Sequence, residues 1–160
     1  MGSLGFKLVH ITAVVVFLGN IITGLFWKAH AERSRDPRLI AHTFEGIIRS
    51  DRWFTLPGIG IIIAGGVGAA ITEHLPLLHT GWILWSIVLF SLSGVMFSAR
   101  VAPLQKSLAA LTRSHDGSVP FDWARYHALA RRWELWGLFA LLTPLAAMAL
   151  MVLKPALPSF

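Results

Sequence analysis

From Leu8 to Phe26 the chain carries no Lys, Arg, Asp or Glu, and this run constrains the fold more than any other feature. The apolar segment that contains it, Leu4 to Trp27, crosses about 30 Å of hydrocarbon as a helix. Lipid offers no partners for backbone amides, so such a segment satisfies them internally and is helical. His10 is the only ionisable side chain in the run, and Lys7 stands three residues before it on the same helix face. An ionisable group inside a membrane span is costly and is a functional-site candidate by default. The alternative is an interfacial histidine hydrogen-bonded to water or to a neighbouring carbonyl.

Three further runs are long enough to span, giving helices at about 4–27, 53–72, 81–99 and 135–153 within a single integral membrane domain of residues 1–160. The expected fold is all-α, a four-transmembrane-helix bundle with amphipathic cytoplasmic helical extensions. A charged fraction of 14% and a mean hydropathy of +0.64 agree with a lipid bilayer as the surrounding medium. The net charge of +6 is not a nucleic-acid signal, because the cations cluster between the apolar runs. No cysteine is present, which excludes disulfides, thiolate zinc sites and iron–sulfur clusters. The first run is too long for a cleavable signal peptide and lacks a small-residue cleavage site.

Within the first connecting segment, Asp36-Pro37 reads as a helix N-cap followed by Pro at the first helical position. Leu39, Ile40, Phe44, Ile47 and Ile48 then share a face opposite Arg38, His42, Glu45 and Arg49, an amphipathic helix at the interface or an extension of the second span. Pro57 either starts that span or kinks a longer helix. The second span is rich in glycine (Gly58, Gly60, Gly65, Gly66, Gly68), which suits close helix approach or room for a flat cofactor. His74 and His79 are a weak metal pattern. Ser86, Ser91, Ser93 and Ser98 are the polar groups of the third span. A loop is expected from His115 to Pro120, with a helix restarting near Phe121 and a kink at Thr143-Pro144.

Height along the helices brings candidate partners together. His10 lies about 9 Å along from Leu4, and Lys154, Met148 and Met151 stand at comparable depth on the last helix. One pocket between the first and last helices can therefore hold all of them. His with Met is usable haem ligation, and nearby cations suit propionates; copper takes the same donors. His42 and His127 form a second candidate pair at the other end.

Lys7-x-x-His10-Ile11, Trp53-Phe54-Thr55-Leu56-Pro57-Gly58, Met151-Val152-Leu153-Lys154-Pro155 and the Arg100–Leu111 stretch with Pro103-Leu104-Gln105 resemble a bacterial family of predicted integral membrane proteins, domain of unknown function 2269. The likeness covers nearly the whole chain. A more distant resemblance is to the HemJ-type protoporphyrinogen IX oxidases, at the Lys-x-x-His of helix 1, the Pro-Gly entry to helix 2 and the terminal Lys-Pro. That likeness implies haem b as cofactor, His10 as its metal ligand, and His10 with Lys154 as the catalytic pair. Lys7 and Lys154 would pair with propionates, the substrate would be a tetrapyrrole or porphyrin, and a quinone would accept the electrons. Where the HemJ type has a His and a Lys near the start of helix 3, this chain has Trp82-Ile83-Leu84-Trp85. The other reading is a non-enzymatic subunit or assembly protein of a larger membrane complex, or a homodimer. A carrier for a lipophilic molecule is the third, but Asn20 is nearly the only polar group at mid-membrane.

Counting Lys and Arg gives one before the first span, six between the first and second, none between the second and third, six from Arg100 to Arg132, and one after the last. In a bacterial inner membrane this asymmetry places the two long connections in the cytoplasm and both termini outside. Fusions of a topology reporter after Phe160 are expected to be active only as an extracytoplasmic reporter. Cytoplasmic reporter activity there would invert the orientation.

Overall fold

The computed structural model describes residues 2–115 and 119–159 of the chain. The expected all-α architecture is present, with no strand among the described residues. Four long helices run α1 (Ser3–Arg33), α2 (Pro37–Thr72), α3 (Gly81–Arg113) and α4 (Trp123–Leu153), and each has the length and composition to cross a membrane. Every helix outruns its apolar stretch, because amphipathic ends continue it past the hydrocarbon. Asp116, Gly117 and Ser118, part of the expected loop, lie outside the described residues.

The helix starts follow from their caps. Asp36 accepts the Arg38 N–H at 2.9 Å with Pro37 at the first helical position, and Asp122 accepts the Arg125 N–H at 2.9 Å. Pro57 does not begin a helix. It lies inside α2, just beyond one wide turn at Asp51–Thr55 in which the Leu56 N–H reaches back five residues to the Asp51 carbonyl. In α3 a matching wide turn at Phe97–Val101 precedes Pro103, with the Ala102 N–H on the Phe97 carbonyl. The cause is shared: a proline ring clashes with the carbonyl four residues back, and widening the turn relieves it.

The helices pack as two antiparallel pairs. Along the apolar half, α1 lies against Leu56–Thr72 of α2, and Gly81–Met96 of α3 lies against α4. No Cα of Leu56–Thr72 comes within 8 Å of one in Gly81–Met96, so the backbones of this half of the bundle stand apart. The pairs join at the end bearing the two basic connections, where Pro37–Ser50 packs on Ala102–Arg113. Ile40, Phe44, Leu108, Tyr126 and Trp133 form a buried core there. Higher up, Phe17 of α1 meets Leu141 of α4 and the Phe90 ring of α3, at 5.7 Å between centroids.

Small residues set the first pair. A Cβ on Gly65 would stand 3.0 Å from the His10 backbone nitrogen, and one on Gly68 would run into the Phe6 ring. The second pair is fastened by hydroxyls. Pro144 has no N–H for the Ala140 carbonyl, and the Ser93 hydroxyl donates to that carbonyl instead at 2.6 Å. Seven residues earlier on the same face, Ser86 donates to the Ala147 carbonyl at 3.1 Å. Beyond α4, Lys154 takes a left-handed conformation (φ 46°) and turns the last residues back over α3, where the Trp85 indole N–H donates to the Pro158 carbonyl at 3.1 Å.

Gly65→Leu is expected to reduce folded yield and unfolding temperature strongly, because the backbone of α1 cannot retreat. Gly60→Leu, which meets nothing within 4 Å, is the control and is expected to be tolerated. Thermal unfolding in detergent checks the difference.

Candidate functional site

Polar and charged side chains gather at three heights, and only the first was singled out by the sequence. At the end bearing both termini, the imidazole of His10 seats against the bare face of α2 at Gly66, and its Nδ1 lies 2.8 Å from the Ile62 carbonyl oxygen. A carbonyl only accepts, so Nδ1 carries the proton. In the neutral imidazole Nε2 then keeps its lone pair, the tautomer a metal-ligating histidine uses. Lys7 pairs with Glu73, which also accepts from the Ser3 hydroxyl at 2.5 Å. Lys154 places its ammonium over the Trp82 ring, 5.3 Å from the centroid. The Glu73 carboxyl is held below the usual carboxylate range, first by its hydrogen bond to Lys7, then by Ser3, with a smaller contribution from the charge of Lys154.

Lys7 and Lys154 thus stand at one end, Lys7 paired with Glu73 and Lys154 acting on it only through its charge. His10 turns toward α2, whereas Lys154 turns toward α3. Met151 is half-buried and Met148 is exposed. At the opposite end His42 and His127 are both exposed, and His127 lies beside the Trp123 ring. Among the described residues no group of three or more His, Cys, Asp or Glu is placed to hold a metal ion.

The second height is the junction of the two pairs. Asp51, at the start of the wide turn in α2, is buried. One carboxylate oxygen accepts from the Asn20 amide at 3.1 Å and from the Thr55 hydroxyl at 2.9 Å; the other accepts from the Gln105 amide at 3.0 Å. Asn20 also donates to Thr55 Oγ1 at 3.0 Å. Three helices therefore meet on one carboxylate. A cavity of about 150 Å³ between the separated helices reaches Thr55 and is walled by Phe17, Ile59, Phe90, Ser93 and Phe97.

Sequence reasoning missed this group for a definite reason. Asp51 and Gln105 sit outside the apolar runs and look like surface residues of connecting segments. The available signal was the pair of prolines within continuous helical patterns, with Asp51 six residues before Pro57 and Gln105 two residues after Pro103.

At the third height Lys28 is buried, ion-paired with Glu32 at 2.7 Å and with Glu134, while the Tyr126 hydroxyl donates to Glu32 at 2.7 Å. This network ties α1 to α4 at the basic end. The Trp133 indole N–H, next to Glu134 in sequence, is buried with no acceptor among the described residues.

A family model described as "Predicted integral membrane protein (DUF2269)" matches residues 4–155. No curated protein and no solved structure matches the chain.

The Lys7–Glu73 contact has a definite pH signature. A carboxylate whose folded-state value is depressed stabilises the fold above its unfolded value and loses that contribution as pH falls through the folded value. Unfolding temperature is expected to fall on acidification below the ordinary carboxylate range, and Glu73→Gln is expected to flatten that part of the profile. An unchanged profile in Glu73→Gln would assign the acid response elsewhere.

Proposed function

We propose that this chain, which belongs to the DUF2269 family of predicted integral membrane proteins, is a haem-binding membrane protein with His10 as an axial ligand. One observation carries the reading: the Nδ1–H of His10 is committed to the Ile62 carbonyl, which leaves Nε2 as a donor nitrogen within an apolar span. The donor set fits a porphyrin iron, since a neutral imidazole is a competent ligand and Lys154 is a cation at the same end of the bundle for a propionate. Lys7 is less available, because Glu73 already holds it. Gly65 and Gly66 keep the neighbouring face of α2 low, and His10 itself is only half-buried.

Bound haem supplies a one-electron couple. The activity we infer with it is oxidation of a tetrapyrrole with a quinone as acceptor, and it rests on the HemJ-type likeness at Lys7, His10 and Lys154. Trp82 and Trp85 stand where that type carries its helix 3 His and Lys, so this chain's own residues support haem binding more directly than they support the reaction. The location inferred with it is the bacterial inner membrane, with both termini outside.

The test is an absorption spectrum of the detergent-purified protein, oxidised and reduced. The expected result is a Soret band in the wild type that is lost or shifted in His10→Ala, with Lys154→Ala retaining the band at reduced occupancy. A colourless wild type that copurifies with a fixed partner would replace this reading with that of a non-enzymatic subunit. Unchanged haem content in His10→Ala would move the ligand to His42 and His127.

A further inference from the structure

We infer that Asp51 is the binding site of a small monovalent cation, a proton or a sodium ion, at the buried joint between the two helix pairs. Asp51 is 8% exposed, and it lies at the level of Asn20, about 12 Å along α1 from Lys28 toward the terminal end. The groups that hold it, Asn20, Thr55 and Gln105, are all neutral. Among the described residues no Lys, Arg or His forms an ion pair with it.

The charged groups on every surrounding segment are committed elsewhere or exposed. On its own helix Arg49 and Arg52 are exposed, and Glu45 pairs with Arg113 of α3. On α1, Lys28 is taken by Glu32 and Glu134. On α3, Arg100 lies over the Trp136 ring and Lys106 is exposed, and on α4 Arg131 and Arg132 are exposed. A full negative charge left with neutral donors alone in such surroundings costs several kcal/mol. A positive charge on the carboxylate removes that cost.

The chemistry of the cluster fits one small cation. Each partner carries an oxygen: the Thr55 hydroxyl, and the Asn20 and Gln105 amides, which present oxygen in place of nitrogen after a half-turn. Oxygen donors without sulfur or imidazole suit a hard cation. A proton on Asp51 uses the same rearrangement, because a protonated carboxyl needs one acceptor where the anion needed donors. The cavity between the separated halves of α2 and α3 reaches Thr55, whose hydroxyl is bonded to Asp51. Asp51 and His10 are independent, so this site does not rest on the haem reading.

Two measurements on the full chain in lipid nanodiscs test the proposal and separate the sources. In sodium-free choline buffer, pH-difference infrared spectra report the carbonyl stretch of a buried protonated carboxyl. A band present in the wild type and lost in Asp51→Asn identifies the proton. At fixed pH and ionic strength, replacing choline by sodium reports sodium binding as a saturable rise in unfolding temperature. A rise seen in the wild type and absent in Asp51→Asn identifies sodium. If Asp51→Asn does not fold, Gln105→Ala keeps the carboxylate and removes one partner, and the midpoint of the responding titration is expected to move by about tenfold. Silence in both measurements, or responses that Asp51→Asn and Gln105→Ala leave unaltered, would overturn the proposal.

Discussion

Hydrocarbon gives a polar group no partner, and each departure from a plain four-helix bundle in this protein answers that constraint. Pro144 strips the Ala140 carbonyl of its helical donor, and Ser93 reaches across from α3 to replace it. Pro57 and Pro103 would press on carbonyls in their own helices, and one wide turn before each makes room. The wide turn in α2 has the further effect of setting Asp51 inward, where Asn20 and Gln105 arrive from two other helices to meet it. What looks like local relief of proline strain is also what builds the buried carboxylate centre.

The same constraint explains why the bundle holds at one end and parts at the other. Pro37–Ser50 and Ala102–Arg113 present amphipathic faces, so Phe44 and Leu108 find a shared core and the Lys28 network closes over it. Further along, α1 is locked to α2 by backbone contact at Gly65, and α3 to α4 by Ser86 and Ser93. Each pair is satisfied within itself. Nothing then forces Leu56–Thr72 onto Gly81–Met96, and the space left between them leads to Thr55. The two candidate centres occupy different places in this scheme. His10 belongs to the seam of one pair, whereas Asp51 belongs to the joint between pairs.

Much of the fold was legible because it is written in long-range patterning. The four apolar runs, the Asp36-Pro37 cap and the glycine face of α2 each state a requirement that one structure meets. Pro57 was ambiguous from sequence, since a helix-starting proline and a helix-widening one look alike until the neighbouring segment is known to be helical. Ser93 read as bland because its meaning depends on Pro144, more than forty residues away. Of the two candidate centres only the one around His10 was legible, since His10 is an ionisable group inside a charge-free run. Asp51 gave no such contrast: its neighbours Arg49 and Arg52 are charged, and the wide turn that buries it is a property of Pro57 rather than of Asp51.

If the joint at Asp51 holds the two pairs together, its partners must be energetically coupled rather than merely close. A double-mutant cycle on unfolding in lipid, with Asp51→Ala, Gln105→Ala and the double variant, measures this most directly. The account predicts that the double variant costs less than the sum of the single ones, by about 0.5–2 kcal/mol. Additivity of the two changes would mean that the carboxylate and the amide share a location without sharing a function, and would contradict it.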